Sequence, residues 1–204
     1  VEARVTYRFD AEGRFWIVME AETTAPTVMN MVNHAYFNLA GQGSVLDQHL
    51  RLAAGHYTPV DDRLIQTGEV LSVAGTPFDF SQLRPIGQAL PGPMGFDHNF
   101  CLSAPLLPFG GELLRPAAEV VDPASGRRMA IRTSKPGVQF YSGGYLDDSL
   151  PGKGGQSIGQ FGGFALETQF FPDSPNKPQF PSARLEPGQG YRHVMAFDLA
   201  PLRP

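Results

Sequence analysis

Residues 1–23 read VEARVTYRFDAEGRFWIVMEAET, and their pattern decides the fold. In the first nine residues the odd positions are apolar or aromatic and the even positions are polar. This period of two fits a half-buried strand and no helix. The DAEG stretch at 10–13 supplies turn residues, and residues 15–23 resume the extended pattern. The chain therefore opens with a predicted β-hairpin.

The same pattern recurs further along the chain. Residues 117–133 predict a second hairpin around the turn DPASG, and YRHVMAFDL at 191–199 predicts a final strand. The chain has 23 glycines and 19 prolines, which leave no long window with apolar residues at helical spacing. We expect an all-β sandwich or barrel with few, short helices, in which 103–116 and 147–160 are loops. No linker composition divides residues 1–204, so a single domain is predicted.

Charge and composition exclude several classes of partner. The net charge is -4 and the lysines and arginines are scattered, so no basic surface is expected to attract nucleic acid or anionic lipid. No apolar run approaches the roughly 20 residues that cross a bilayer. The single cysteine, Cys101, cannot form an intrachain disulfide, which fits a reducing compartment. We therefore expect a cytoplasmic protein without nucleic-acid or membrane partners, and the sequence leaves its oligomeric state open.

Four short stretches embed polar side chains in apolar runs. They are NHAYFNLAG at 33–41, GFDHNF at 95–100, PGVQFYSG at 136–143 and ALETQFFPD at 165–173. Burying such groups unpaired costs about 1 to 3 kcal/mol each. Each stretch therefore needs a structural or a functional explanation.

Alternation predicts which of these side chains share a face. If residues 29–39 are extended, one face carries four polar or half-polar side chains: Asn30, His34, Tyr36 and Asn38. The other stretches pair Asp97 with Asn99, Gln139 with Tyr141, and Glu167 with Gln169. If these strands are neighbours, their polar faces form one groove that contains His34, Asp97, Gln139 and Glu167. An imidazole, two carboxylates and an amide suffice for proton transfer on a hydroxylated ligand.

Structural interpretations stand beside this one. His34 could be a structural histidine with satisfied hydrogen bonds, and Glu167 a carboxylate held by some structural partner. Asp97 could cap a loop, and Gln139 could join strand ends. His98 lies on the phenylalanine face, which favours a structural role. His49, His56 and His193 are predicted to have no chemical role.

Two other kinds of chemistry have weaker support. A metal site built from His34, Asp97 and His98 would lack the H-x-x-x-H or C-x-x-C spacing typical of such sites. With no G-x-S-x-G motif around a serine, and Cys101 alone on a phenylalanine-rich strand, a nucleophilic hydrolase is also disfavoured.

The four motifs, in this order, resemble those of the aldose 1-epimerases, the galactose mutarotases. The resemblance extends to VNHAYFNLAG at 32–41, LETQFFPDSPNKPQFP at 166–181, YTPVDDRLIQTGEV at 57–70 and GTPFDF at 75–80. It implies a large antiparallel β-sandwich, a supersandwich, that binds a free hexose such as galactose or glucose in an open groove. It also implies an isomerase without a metal or an organic cofactor.

The resemblance assigns roles to the groove residues. His34 would be the general acid that protonates the ring oxygen, and Glu167 the base that takes the proton of the anomeric hydroxyl. Asp97 and Gln139 would bind sugar hydroxyls.

Family members carry a further segment before the position of Val1, with an Asn-Arg pair and a second histidine at the substrate site. We therefore expect residues 1–204 to be the C-terminal portion of such a domain, with a first strand that lacks some partners. Three other functions stay open. They are epimerisation of a hexose 6-phosphate, which would need an Arg or Lys cluster, a glycosidase using Asp97 and Glu167, and a sugar-binding module without catalysis.

Overall fold

The computed structural model describes residues 1–149 and 151–201, which form sixteen strands and three 3₁₀-helices. The strands are β1 (Glu2–Phe9), β2 (Phe15–Glu22), β3 (Thr27–Val28), β4 (Tyr36–Phe37), β5 (His49–Leu52), β6 (Ala54–Thr58), β7 (Leu71–Ser72), β8 (Arg84–Pro85), β9 (Asp97–Leu102), β10 (Leu107–Phe109), β11 (Glu112–Asp122), β12 (Arg127–Thr133), β13 (Gly137–Tyr141), β14 (Phe164–Gln169), β15 (Arg184–Leu185) and β16 (Tyr191–Pro201). The 3₁₀-helices span Ile86–Gln88, Lys153–Gly155 and Ser174–Asn176. The prediction of an all-β protein with few, short helices is confirmed.

The strands form two large antiparallel sheets and one small one. The eight-stranded sheet has the order β1-β2-β16-β12-β11-β5-β8, with β10 paired to β11, and the six-stranded sheet has the order β4-β14-β13-β9-β6-β7. The remaining pair is β15-β3. Both predicted hairpins are present, the first with Glu2 opposite Glu22 and Phe9 opposite Phe15.

One hydrophobic core lies between the two large sheets. Residues of both sheets contribute to it, and Phe37 of β4 meets Phe197 of β16 with ring centroids 5.8 Å apart. Its fully buried phenylalanine side chains are Phe80, Phe96, Phe100, Phe140, Phe164 and Phe197. Because Phe100, Phe140 and Phe164 occupy inward positions of β9, β13 and β14, the alternate positions of the same strands face outward. The fold is thus the antiparallel β-sandwich that the sequence predicts.

The prediction that the first strand is half buried is wrong. β1 is exposed along its whole length, and Tyr7 and Phe9 retain 59% and 71% of their accessible surface. It lies at the edge of the eight-stranded sheet, and no element among residues 1–149 and 151–201 packs over it. The rings of Tyr7 and Phe9 lie beside that of Phe15, with centroids 6.0 and 5.1 Å from its centroid. The alternation therefore predicted the pairing of β1 but not its burial.

The predicted loop at 103–116 instead contains a short hairpin formed by β10 and the start of β11. Its turn uses Gly110 and Gly111, both with positive φ, a conformation that glycine adopts readily. Phe109 then packs on Trp16, with ring centroids 5.8 Å apart, over the outer face of the eight-stranded sheet.

The prediction of a loop at 147–160 holds for its described residues, which add a single bridge between Pro151 and Ser157 and one 3₁₀-turn. Leu150 lies outside the described residues. In the part of the chain that the structure covers, no helix has the length and hydropathy to cross a membrane.

Candidate active site

The outward face of the six-stranded sheet carries a row of polar side chains. In the register of these strands, Gln139 of β13 lies opposite Glu167 of β14 on one side and Asn99 of β9 on the other. The same face of β9 also presents Asp97, which is opposite Tyr141. Alternation explains this arrangement, because the neighbours of these residues on the same strands fill the core. We call this outward face the groove.

His34 and Glu167 meet at one end of the groove. The Nε2 atom of His34 lies 3.5 Å from Oε1 of Glu167. The side chain of Glu167 is 11% exposed and that of His34 is 52% exposed. A largely buried carboxylate is therefore faced by an imidazole that stays open to solvent, so a ligand in the groove can reach both.

The environment of Glu167 favours its protonated form. Burial raises the pKa of this carboxyl group above 4.5, the nearby His34 partly offsets the rise, and the negative charge of Asp97 adds to it. A carboxylate with a raised pKa is a stronger base than an ordinary glutamate. Glu167 is thus suited to accept a proton from a ligand.

Asp97 and Gln139 are joined directly. The amide nitrogen of Gln139 donates to Oδ1 of Asp97 at 2.7 Å, and Gln169 donates to Oε1 of Gln139 at 3.4 Å. These bonds leave polar atoms of both residues on the groove surface, beside Glu167. The predicted set of four residues is thus brought together on one face.

Two tyrosines that were not predicted as site residues complete the wall of the groove. The ring of Tyr36 lies 5.2 Å from that of His34 and 6.1 Å from that of Tyr141. Burial raises the pKa of the Tyr36 hydroxyl, and the charges of Glu167 and Asp97 raise it further. Alternation already places Tyr36 on the His34 face and Tyr141 on the Gln139 face, so this signal was present in the sequence.

The expectation that residues 29–39 form one extended run is wrong, since only Tyr36–Phe37 is a strand. The asparagine side chains of this segment make hydrogen bonds that hold the surrounding chain. The side chain of Asn30 bonds to the backbone of Phe170, and that of Asn38 donates to the carbonyl groups of Gly43 and Gly162. Asn33 accepts from the N–H of Ala35. The hydrogen bonds of these asparagines stabilise loops. The local sequence does not distinguish such a structural role from a role in ligand binding.

The remaining candidates take structural positions. His98 points into the core, with its ring 4.6 Å from that of Phe78, and burial lowers its pKa despite the charge of Asp97. It therefore does not join His34 and Asp97, and no group of three metal-ligating side chains occurs among the residues that the structure describes. Burial raises the pKa of the Cys101 thiol to about 12, so this cysteine is a poor nucleophile.

The described strand residues of the groove face include no strongly basic side chain of the kind that binds a phosphate. The register places twelve described residues on this face of β4, β14, β13, β9 and β6, and none of them is Arg or Lys. They are Tyr36, His56, Thr58, Asp97, Asn99, Cys101, Gly137, Gln139, Tyr141, Ala165, Glu167 and Gln169. The face is suited to a neutral, hydroxyl-rich ligand more than to a phosphate.

Comparison with known proteins agrees with this chemistry. Residues 1–198 match the model of the family described as aldose 1-epimerase. The galactose mutarotase of Rattus norvegicus is 43% identical over 197 residues, which cover 95% of this chain and 56% of that protein. The aldose 1-epimerase of Escherichia coli K12 is 36% identical, with 96% of this chain and 57% of that protein covered. The chain thus spans somewhat more than half the length of these curated relatives.

Two solved structures have the same fold. The GalM/aldose epimerase homologue from C. elegans superposes with a TM-score of 0.84 at 25% sequence identity, covering 98% of this chain and 59% of that one. The galactose 1-epimerase from Lactobacillus acidophilus gives a TM-score of 0.81 at 27% identity, covering 98% and 57%.

Proposed function

Since this chain belongs to the aldose 1-epimerase family, we propose that the full-length protein interconverts the α and β anomers of a free hexose such as galactose or glucose. The observation that carries the proposal is the 3.5 Å approach of His34 to Glu167 in an open groove. The ring oxygen and the anomeric hydroxyl of a pyranose are attached to the same carbon. An acid and a base that act on them together must therefore lie side by side, as these two groups do.

The reaction opens and recloses the ring by proton transfer. Glu167 takes the proton of the anomeric hydroxyl while protonated His34 gives a proton to the ring oxygen, the bond from C1 to the ring oxygen breaks, and an aldehyde forms. After rotation about the C1–C2 bond, the hydroxyl adds to the other face of the aldehyde. His34 then recovers its proton from that hydroxyl and Glu167 returns its own to the carbonyl oxygen. Each positioned group contributes about 10²- to 10⁴-fold in rate.

Asp97 and Gln139 hold the sugar in this scheme. Their side chains lie beside Glu167 and are already hydrogen-bonded to each other, so they are preorganised to bind hydroxyl groups. The scheme regenerates both catalytic groups and needs no metal or organic cofactor. The partner is thus a monosaccharide, and with a single cysteine and a net charge of -4 we place the protein in the cytoplasm, without nucleic-acid or membrane partners.

The groove face disfavours the phosphorylated substrate, since its described strand residues include no Arg or Lys to bind a phosphate group. A comparison of rates on galactose and on hexose 6-phosphate separates the two functions. Faster turnover of the phosphate would overturn the choice of a free hexose.

Polarimetry tests the proposed reaction directly. The full-length protein should accelerate the change in optical rotation of freshly dissolved α-galactose, and His34→Asn should slow that acceleration by about 10²-fold or more. His49→Asn is the matched control, because His49 lies on β5 of the other sheet. Saturable galactose binding without faster anomer exchange would instead identify a sugar-binding module, and equal rates for His34→Asn and the unaltered protein would remove His34 from the mechanism.

A further inference from the structure

A buried histidine behind the groove contacts both segments that carry the proposed acid and base. His193 of β16 is fully buried in the core between the sheets. Its Nδ1 lies 3.0 Å from the carbonyl oxygen of Met31, and its Nε2 lies 2.7 Å from Oγ1 of Thr168. Met31 precedes His34 by three residues, and Thr168 follows Glu167 on the opposite face of β14.

These contacts define the state of the imidazole. A carbonyl oxygen only accepts, so Nδ1 carries the hydrogen and donates to Met31, while Nε2 accepts from the hydroxyl of Thr168. Burial lowers the pKa of His193 to about 4, with a further contribution from the charge of Lys135, so the ring is neutral at pH 7. The hydroxyl of Thr133, on the neighbouring strand β12 of the same sheet as His193, is 3.4 Å from the same Nε2.

Two further contacts hold the segment before His34. The hydroxyl of Tyr191 accepts from the N–H of Met31 at 3.1 Å, so both polar groups of this residue are bonded to β16 side chains. The side-chain amide of Asn30 bonds to the N–H and the carbonyl group of Phe170, at 2.9 and 3.1 Å. Residues 29–35 have no strand ladder of their own, so these side-chain bonds, together with that from the N–H of Met29 to the carbonyl group of Ala183, hold the segment in place.

We propose that His193 is a positioning residue that sets the separation of His34 and Glu167, an inference that rests on the proposed function. The imidazole of His193 bonds to Thr168, which is next to the proposed base Glu167 on β14. It also bonds to Met31, which lies three residues before the proposed acid His34. A displacement of about 1 Å between catalytic groups can cost about 10²-fold in rate. His193 touches neither groove nor ligand and acts through its two neighbours.

Removal of single hydrogen bonds tests this role in the full-length protein. Thr168→Val keeps the shape of the side chain and removes the hydroxyl that bonds to His193. We expect kcat to fall about 10-fold or more while KM stays within about two-fold, because Asp97 and Gln139 are unchanged. Thr133→Val is the matched control: it removes a hydroxyl near the same imidazole, but from β12 in the sheet that does not carry Glu167, and kcat should stay within about two-fold.

Substitutions of His193 provide a graded series. His193→Leu loses both links, whereas His193→Asn retains an amide donor for the carbonyl group of Met31. We expect kcat to fall about 100-fold for His193→Leu and to recover partly in His193→Asn, each measured per folded molecule as judged by circular dichroism. Equal kcat for the two variants, or unaltered kcat in both, would overturn the proposal.

A double variant separates positioning from general stability. If Thr168 acts through Glu167, Thr168→Val should slow the Glu167→Gln protein no further, whereas a purely structural defect would lower the rate in both backgrounds. If kcat falls in Glu167→Gln but is unaltered in the His193 and Thr168 variants, the positioning role of His193 is wrong and the proposed function still stands. Full activity of both Glu167→Gln and His34→Asn would overturn the proposed function, and the positioning role with it.

Discussion

Glu119 and Glu167 are both in the middle of a strand and on the outward face of a sheet, yet their surroundings are opposite. Glu119 accepts from Arg128 and from Arg51, each at 2.6 Å. Burial raises the pKa of Glu119, but the hydrogen bonds and charges of the two arginines outweigh it and lower the pKa overall. Among the described residues, the ionic partner of Glu167 is the imidazole of His34 at 3.5 Å, and burial and the charge of Asp97 raise the pKa of Glu167.

The difference shows how one residue type serves two purposes. Both oxygens of Glu119 are bonded to guanidinium groups, so its charge links β11 to its neighbours β5 and β12. Glu167 has no arginine partner among the described residues, so its oxygens stay available to a ligand. A carboxylate without compensation costs stability, and such a cost is typical of active sites.

The largest expected effect is on the rate of anomer exchange. Glu167→Gln keeps the size of the side chain and removes the base, so kcat should fall about 10²- to 10⁴-fold. Glu119→Gln, on the other sheet, should change kcat by less than about two-fold. Polarimetry on both variants of the full-length protein makes the comparison. Similar rates for the two variants would mean that the contrast between their surroundings has no catalytic meaning.

A smaller effect is expected on substrate affinity. Asp97→Asn loses an ionised acceptor for sugar hydroxyls and disturbs the bond from Gln139, so KM should rise about 10-fold. Asp47→Asn is a suitable control, since Asp47 lies outside the strands of the groove. An unchanged KM would exclude Asp97 from binding.

The acid limb of the pH profile should report on Glu167. The base acts when ionised, so kcat/KM should fall as the pH drops through a pKa that lies above 4.5. Because the charge of Asp97 contributes to that rise, Asp97→Asn should move the limb to lower pH. A limb that stays in place would show that another group controls it.

Alternation predicted much of this site because the period of two is a local property. The shared face of Asp97, Gln139 and Glu167 follows from that period once β9, β13 and β14 are neighbours. The roles of acid and base came from the family resemblance, since no spacing in the chain distinguishes His34 from a structural histidine.

Other features depend on contacts that the sequence does not encode locally. Asn30 and Asn38 were placed on the groove face, but their partners Phe170 and Gly162 are more than 120 residues away. His193 was predicted to have no chemical role, and its links to Met31 and Thr168 become visible only when the sheets are packed.

The smallest expected effect is on stability, and it has opposite signs for the two glutamates. Since the folded-state pKa of Glu119 is lowered, its ionised form stabilises the fold above pH 4.5, and this contribution is lost as the pH falls through the folded value. Since the folded-state pKa of Glu167 is raised, ionisation destabilises the fold as the pH rises through that value. At pH 7, Glu119→Gln should therefore reduce the free energy of unfolding by about 0.5 to 1 kcal/mol, and Glu167→Gln should increase it by a similar amount.

Urea denaturation of both variants at pH 7 and pH 4 measures these changes. The difference for Glu167→Gln should be largely lost at pH 4, which lies below both the unfolded and the raised folded pKa of Glu167. The difference for Glu119→Gln should only begin to shrink below pH 4.5, because the folded-state pKa of Glu119 is lowered. If Glu167→Gln destabilises the protein at pH 7, then Glu167 contributes to the fold as Glu119 does. The proposed availability of its carboxylate to a ligand would then be wrong, whatever the variant does to the rate.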